Sequence, residues 1–249
     1  MIVIPMAGLS SRFFKAGFDK PKYMLDAHGK SLFEHAVSSF QHYFQSEHFL
    51  FIVRDVDNTV EFVNQQAQTL GIRSFSVKLL TQETRGQAET VFIGIEGEGE
   101  DDQEQSLTIF NIDTFRPGFV FPSELAHWDG YLEVFDGHGD NWSFVRPKSA
   151  TSTQVIETAE KRPISQLCCT GLYYFASLQD YRDAYQHYLA LPPELWEKGE
   201  LYVAPLYNYL IQQGKQIHYH LIERDEVIFC GVPDEYYAFL KQEPSVVKG

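Results

Sequence analysis

Residues 3–25 read VIPMAGLSSRFFKAGFDKPKYML, an apolar segment that opens into a loop of small residues and cations. Small side chains let backbone N–H groups approach a ligand closely, and successive N–H groups form a concavity that binds anions. Four cations follow within eleven residues: Arg12, Lys15, Lys20 and Lys22. We therefore expect a strand followed by a phosphate-binding loop. A solvated surface loop with incidental charge is the alternative.

The rest of the chain supports an α/β fold. Apolar runs bounded by turns continue through the first half, at 1–5, 49–53, 75–80 and 107–112. Helix-like stretches separate them, at 31–45, 57–70 and 87–95. This alternation implies a mostly parallel sheet covered by helices. The second half has consecutive strands, at 129–135, 142–147, 153–158 and 167–175, then helices near 177–190 and 201–213, a strand at 216–222 and a helix at 233–242. The expected architecture is a single three-layer αβα, Rossmann-like domain with a small peripheral β lobe.

The composition and net charge of the chain disfavour some classes of binding partner. The chain has 249 residues, 44% of them apolar, and a formal net charge of −14. Nucleic acid is an unfavoured partner because binding it needs a broad basic face. We find no signal peptide and no run of eighteen apolar residues, so we expect a cytoplasmic protein without a membrane partner. An acidic run at 96–104 is interpreted as a solvated loop.

The opening segment resembles the signature of the nucleotidyltransferase superfamily, which includes sugar-1-phosphate pyrophosphorylases and cytidylyltransferases. The matching positions are Gly8, Ser11, Arg12, Pro21 and Lys22, while Ser10 stands where the family commonly has Gly. The resemblance implies a GT-A-like fold with residues 1–115 as the nucleotide-binding half and 116–249 as the acceptor-binding half. It also implies catalytic roles for Arg12, on the β- and γ-phosphates, and Lys22, on the α-phosphate. The implied nucleotide contacts in the loop are Ala7, Gly8, Leu9, Ser10 and Ser11.

Further matches lie downstream. Gln82, Gly86 and Gln87 resemble the family segment that reads the base, although a polar loop before a helix gives the same pattern. Asp113 ends an apolar run, where open α/β sheets bind ligands, and a carboxylate there suits Mg²⁺. It matches the first metal-binding Asp of the family. The usual second metal-binding position is Phe229 here. Either Asp225 or Glu226 replaces it, or a single protein carboxylate suffices.

The second half resembles the family's acceptor site. VIETAEKRP at 155–163 matches a strand that contributes to the acceptor phosphate pocket, with Lys161 as the candidate contact. CTGLYYF at 169–175 matches a segment in which a Gly backbone meets the acceptor, here Gly171. Glu200 and Tyr202 lie where acceptor specificity is often set. A core strand or a helix surface explains each match equally well.

The resemblance implies transfer of a nucleoside monophosphate from a nucleoside triphosphate to a small phosphorylated acceptor such as a sugar phosphate. Mg²⁺ is the expected cofactor, pyrophosphate the by-product, and CTP the favoured donor over UTP or dTTP. We expect a role in capsule or cell-surface polysaccharide synthesis, and a homodimer. Two alternatives remain: a GT-A glycosyltransferase that uses an NDP-sugar, and an inactive nucleotide-binding regulatory module.

Overall fold

The structure is a computed structural model that describes residues 1–97 and 105–242. Most of the acidic run predicted to be a solvated loop, residues 98–104, lies outside the described residues. Within the described ranges, no helix is both long enough and apolar enough to cross a membrane.

The described residues contain the nine predicted strands, each beginning and ending close to its predicted position, and four short strands that were not predicted. They are β1 (Ile2–Met6), β2 (Asp26–Ala27), β3 (Lys30–Ser31), β4 (His48–Val53), β5 (Ser74–Leu79), β6 (Leu107–Phe110), β7 (Thr114–Phe115), β8 (Gly130–Asp136), β9 (Ser143–Pro147), β10 (Val155–Glu160), β11 (Leu167–Phe175), β12 (Ile217–Ile222) and β13 (Ile228–Phe229).

The helices alternate with the strands in the first half and cluster toward the end of the chain. The α-helices are α1 (Ser11–Lys15), α2 (Leu32–Val37), α3 (Thr59–Thr69), α4 (Gln87–Gly94), α5 (Leu178–Leu189), α6 (Tyr207–Gln212) and α7 (Pro233–Leu240). Short 3-10 turns occur at Lys22–Met24, Ser38–Tyr43, Leu125–His127, Pro193–Leu195, Glu197–Gly199, Ala204–Leu206 and Arg224–Glu226.

Contacts divide the chain into two compact units. We call the first the amino-terminal unit; it comprises Ile2–Gln82, Phe110–Val120 and Asp225–Gly249. The second, the central unit, comprises Met1, Glu83–Ile109 and Phe121–Arg224. The prediction of one domain with two functional halves stays a prediction.

The amino-terminal unit is built on parallel strands. β1 pairs with β4 and β4 with β5, in registers that set Ile2 opposite Phe49 and His48 opposite Ser74. All five residues of β1 are buried, which explains its continuous apolar sequence. Helix α2 begins with a capping box, in which the Ser31 hydroxyl accepts from the Glu34 N–H and the Glu34 carboxylate accepts from the Ser31 N–H.

The central unit combines antiparallel and parallel pairs. β9 lies between β10 and β11 and pairs antiparallel with both, while β8 pairs antiparallel with β11 and parallel with β12. Its core contains buried tyrosines, and the hydroxyls of two of them donate to backbone carbonyls. Tyr207, for example, donates to the carbonyl of Tyr174 at 2.8 Å and its ring stacks on Phe175.

The predicted α/β class with a mostly parallel central sheet is confirmed, and among the described residues the largest sheet contains nine strands. Three small elements were not predicted: the hairpin of β2 and β3, the pairing of β7 with β13, and helix α1 in the opening loop. The stretch predicted as a helix at 31–45 is α2 followed by the 3-10 turn Ser38–Tyr43. The helix predicted at 201–213 begins as 3-10 at Ala204.

Candidate active site

The opening loop leaves β1 at Met6 and turns at Ser10 into helix α1. Ser10 has φ 50° and ψ 29°, a left-handed conformation that favours glycine. Glycine would adopt this conformation without strain, whereas serine adopts it at a cost. In this chain the Ser10 hydroxyl accepts a hydrogen bond from the Lys22 N–H at 3.1 Å. That bond ties the loop to the start of the Lys22–Met24 turn and offsets part of the conformational cost.

The loop exposes its backbone where a phosphate would bind. Gly8 and Leu9 are exposed, and their N–H groups donate to no other described residue. A Cβ built on Gly8 would have no heavy atom within 4 Å, and the φ of Gly8 is not in the left-handed region. The protein itself therefore does not require glycine at this position. Close approach by a ligand provides a reason for it.

Lys22 and Asp113 form an ion pair in the amino-terminal unit. Lys22 Nζ lies 2.5 Å from Asp113 Oδ2, and the two side chains are 19% and 27% exposed. Pro21, with φ −54°, precedes Lys22 and fixes the direction in which the chain enters the 3-10 turn. Two of the residues predicted to act on the triphosphate and the metal are therefore in direct contact.

The turn after β13 packs against Asp113. Phe229 pairs with Thr114, and Cys230 donates its N–H to the Asp113 carbonyl at 2.8 Å. A Cβ on Gly231 would lie 3.0 Å from Asp113 Oδ2 and 3.5 Å from Glu235 Oε2, so both carboxylates flank this glycine. Glu235 accepts from the Gly231 N–H at 2.7 Å and thereby holds the turn in place. The sequence prediction missed Glu235, although an acid in the first turn of a helix is a recognisable signal.

The structure does not bring the alternative acids Asp225 and Glu226 to Asp113. Both lie in the exposed 3-10 turn that precedes β13. Because β13 runs antiparallel to β7 with Phe229 opposite Thr114, Glu226 lies about 10 Å further along, on the side away from Asp113. Glu226 instead accepts from Arg116 through its carbonyl, at 2.8 Å. Neither of the two alternative acids therefore lies beside Asp113.

Two further predicted residues of this unit lie on its surface. Arg12 is exposed in α1, and its guanidinium makes no ion pair with any residue that the structure describes. Gln82 is exposed and lies outside helices and strands. Arg12 is thus a cation that a phosphate reaches without first breaking an ion pair.

The predicted base-reading segment of the central unit packs against Leu201. Leu201 donates its N–H to the Arg85 carbonyl and accepts from the Ala88 N–H, both at 2.9 Å. Gly86, which has φ 149°, lies between these bonds, and a Cβ on it would be only 2.5 Å from the Leu201 carbonyl oxygen. Gln87 is the first residue of α4. Glycine at 86 is therefore required by packing as well as by conformation.

Three of the four predicted acceptor residues are brought together. Lys161 Nζ donates to the Tyr202 hydroxyl at 2.6 Å and lies 4.6 Å from the centre of its ring. Burial opposes the charge on Lys161, but the hydrogen bond to Tyr202 and the negative charges of Glu160 and Glu200 leave its pKa raised. Lys161 itself has φ 52°, a conformation that an L-residue adopts at a cost. The charged head of Lys161 is thus held in place.

Glu160 is a buried acid next to this cluster that the sequence prediction did not select. It is 6% exposed, and burial raises its pKa although Ser143 donates a hydrogen bond to it. Its N–H donates to the Glu197 carboxylate. The adjacent Glu-Lys pair was the available signal. A buried, hydrogen-bonded carboxyl here is suited to binding hydroxyl groups of an acceptor.

Gly171, the fourth predicted acceptor residue, lies in β11. It is buried and has φ 96°, at an irregularity where the register with β8 shifts between Cys169 and Tyr173. The bulge gives a structural reason for glycine. It neither supports nor removes the proposed acceptor contact.

The side chains available as metal ligands limit how this protein could hold a metal ion. Across residues 1–97 and 105–242, no group of three or more His, Cys, Asp or Glu side chains is arranged to hold a metal ion. Asp113 offers a partly exposed carboxylate, and Mg²⁺ is commonly held by one or two carboxylates with substrate phosphates and water. The residues therefore fit a Mg²⁺ that arrives with a triphosphate rather than a preformed protein cage.

Comparison with known proteins shows which family this chain resembles. No protein-family model and no curated protein sequence matches it. Among solved structures, a nucleoside-diphosphate-sugar pyrophosphorylase from Vibrio cholerae RC9 is 63% identical with a TM-score of 0.93, over 97% of this chain and 100% of that chain. The inositol-1-phosphate CTP transferase from T. maritima has 13% identity and a TM-score of 0.72, over 99% and 95% of the two chains. A UDP-glucose pyrophosphorylase has 13% identity and a TM-score of 0.74, over 96% of each. The last two show the fold alone. Because identity to the Vibrio protein extends over nearly the whole of both chains, this chain belongs to the nucleotidyltransferase superfamily, in the family of the nucleoside-diphosphate-sugar pyrophosphorylases.

Proposed function

We propose that the chain transfers a nucleoside monophosphate from a nucleoside triphosphate to a sugar phosphate and releases pyrophosphate. The observation that carries the proposal is the contact between Lys22 and Asp113 beside a loop with exposed amides. Family membership supplies the reaction class. The chain's residues supply a role for each step.

In this proposal residues of the amino-terminal unit bind the phosphates of the nucleoside triphosphate. The exposed N–H groups of Gly8 and Leu9 bind phosphate oxygens, and Arg12 neutralises the β- and γ-phosphates that leave together. Lys22 stabilises the charge that develops on the α-phosphate, since phosphoryl-type transfer depends on positioning and charge stabilisation. No protein nucleophile is required.

Asp113 would hold Mg²⁺, which neutralises charge on the phosphate oxygens when bound. In the structure the Lys22 ammonium lies on Asp113 Oδ2. With the metal held by Asp113, Lys22 would bind phosphate oxygens in place of the Asp113 carboxylate. The ion pair keeps both groups in place until the substrate arrives.

The central unit would bind the acceptor. Lys161 binds the acceptor phosphate, and Tyr202 and Glu200 fix the orientation of the ammonium before the acceptor arrives. Glu160 accepts hydrogen bonds from sugar hydroxyls, and Gly171 meets the acceptor through its backbone.

Gln82, Gly86 and Gln87 bind the base. CTP remains the favoured triphosphate, with UTP and dTTP as the other candidates.

The product would be a nucleoside-diphosphate sugar, the compound class named for the Vibrio relative. Such a product is an activated sugar donor, which fits the proposed role in capsule or cell-surface polysaccharide synthesis. We place the reaction in the cytosol, where nucleoside triphosphates are available, and propose that the protein acts as a homodimer.

The test is a pyrophosphate-release assay with CTP, UTP, dTTP and ATP, each with Mg²⁺ and a panel of sugar 1-phosphates. We expect one pair of substrates to release pyrophosphate. Arg12→Ala, Lys22→Ala and Asp113→Ala should each lose roughly 100-fold or more in rate, the size expected when a charge-stabilising group is removed. Lys215→Ala is a matched control, because Lys215 pairs with Asp180 at 2.9 Å and has no assigned role.

Near-wild-type rates in all three variants would contradict the assignment of these residues. Sugar transfer from an NDP-sugar without pyrophosphate release would favour the GT-A glycosyltransferase. Nucleotide binding without any product from any acceptor would favour the regulatory module, for which Phe229 in the usual second metal position is the supporting feature.

A further inference from the structure

Two short segments of the central unit are joined by backbone contacts. Arg85 and Ala88 bond to the N–H and the carbonyl of the same residue, Leu201. Between them, a Cβ on Gly86 would lie 2.5 to 2.8 Å from three backbone atoms of Leu201. Leu201 is fully buried. Because backbone meets backbone without an intervening side chain, a displacement of one segment either breaks these two hydrogen bonds or displaces the other segment as well.

Glu89 holds one side of this contact. Its carboxylate accepts hydrogen bonds from the Arg85 N–H, at 2.5 Å, and from Arg85 Nε and Nη2. The Tyr185 hydroxyl lies 3.3 Å from the same carboxylate, and Tyr181 donates to the Ala88 carbonyl at 2.6 Å. Burial opposes ionisation of Glu89, but the bonds from Arg85 hold its pKa below the ordinary value. Glu89 is thus a charged, buried anchor for the segment 85–88.

The residues next to this contact are those assigned to two different substrates. Gly86 and Gln87 belong to the proposed base-reading segment. Glu200 and Tyr202 flank Leu201 and belong to the proposed acceptor site, where Tyr202 binds Lys161. A nucleotide that orders residues 86–87 would therefore also order residues 200–202, which makes the subsequent binding of an acceptor less costly.

We propose that Glu89 is a positioning residue that couples nucleotide binding to acceptor binding through the contact between Gly86 and Leu201, an inference that rests on the proposed function of both segments. The coupling is reciprocal, since a ligand that orders one segment lowers the cost of ordering the other by the same free energy. Glu89 acts through the backbone and touches neither substrate.

The experiment is amide hydrogen exchange of the full-length chain, with and without Mg²⁺ and each of CTP, UTP and dTTP. Exchange is followed in peptides that cover 85–92 and 197–204. In the wild type, the triphosphate that binds should slow exchange in both peptides. In Glu89→Gln, slowing at 85–92 should persist, while slowing at 197–204 should fall at least two-fold. Asp180→Asn is the matched control, because it also removes the charge of a helix carboxylate paired with a cation.

The possible results distinguish a failure of the proposed coupling from a failure of the proposed function. Slowing confined to 85–92 in the wild type would contradict the coupling and leave the proposed function standing. Undiminished slowing at 197–204 in Glu89→Gln would contradict the role of Glu89. Slowing in neither peptide with any triphosphate would contradict the proposed function and the coupling together. The wild-type comparison needs no substitution, so it decides the coupling even if Glu89→Gln folds poorly.

Discussion

At the scale of one residue, Gly8 is a position where we expect ligand binding, rather than the fold, to require glycine. A Cβ there meets nothing within 4 Å in the protein. We therefore predict that Gly8→Ala leaves the thermal unfolding midpoint unchanged. If phosphate oxygens contact the loop backbone, the added methyl should cost about 1 to 3 kcal/mol of nucleotide binding, or roughly 5- to 150-fold in affinity.

Calorimetric titration with Mg²⁺ and CTP, UTP or dTTP measures the affinity of this variant, and a melting curve without nucleotide is its control. Equal affinities for Gly8→Ala and the wild type would mean that no ligand approaches this part of the loop.

The burial of Glu160 leads to a prediction about how the free energy of unfolding depends on pH. Burial raises its pKa above the ordinary value of about 4.5, so folding favours the protonated form. The sign follows from linkage: its contribution to stability is fully present below pH 4.5 and is lost as pH rises through the raised pKa. The wild type should therefore lose stability relative to Glu160→Gln over this range.

Urea unfolding of both proteins between pH 4.5 and 8 measures the difference. A difference that stays constant, or that favours the wild type more at higher pH, would show that burial does not raise the pKa of Glu160.

At the scale of elements, two glycines of the central unit distinguish packing from conformation. Gly86 has φ 149° and no room for a Cβ beside Leu201, whereas Gly214 has φ 79° after α6 and open space around it. Gly214→Ala should cost about 1 kcal/mol of unfolding free energy, for the left-handed conformation alone. Gly86→Ala should cost about 3 kcal/mol or more, because overpacking against backbone adds to the strain.

Denaturant unfolding compares the two substitutions directly. Equal losses would indicate that the segment 85–88 moves away from Leu201 without cost, which would also remove the physical basis of the proposed coupling.

The elements that the sequence predicted are those with a local signal. The apolar runs of β1 and β4 are buried over nearly their whole length, so burial and sequence pattern coincide there. The pairing of β7 with β13 joins Thr114 to Phe229, and nothing in either short segment identifies a partner so distant in the chain. Helix α1 was missed because five residues carry too few apolar positions to show a period.

Within the candidate site, too, some residues were predicted from the sequence and others were not. The motif residues Lys22 and Asp113 were predicted, and the structure brings them into contact. Glu89, Glu160 and Glu235 were not, because each acts through contacts that only the fold creates. In a chain with 34 acidic residues, a neighbouring lysine or a position in the first turn of a helix is too common a signal to single out one acid before its burial and its partners are known.

At the scale of the whole molecule, the proposed function requires a chain of net charge −14 to bind a triphosphate. Long-range electrostatic attraction is unavailable to such a chain, so affinity would have to come from local groups: backbone amides, a few cations and a metal held by a carboxylate. We therefore predict that nucleotide affinity depends strongly on Mg²⁺ and on the charge of Asp113.

The most direct test is a calorimetric titration of the wild type and Asp113→Asn with CTP, UTP and dTTP, in Mg²⁺ and in EDTA. We predict that the wild type binds one triphosphate at least about ten-fold more tightly with Mg²⁺ than with EDTA, a difference near 1.4 kcal/mol, and that Asp113→Asn loses this difference. Equal wild-type affinities in Mg²⁺ and in EDTA, or a metal dependence that survives in Asp113→Asn, would contradict it.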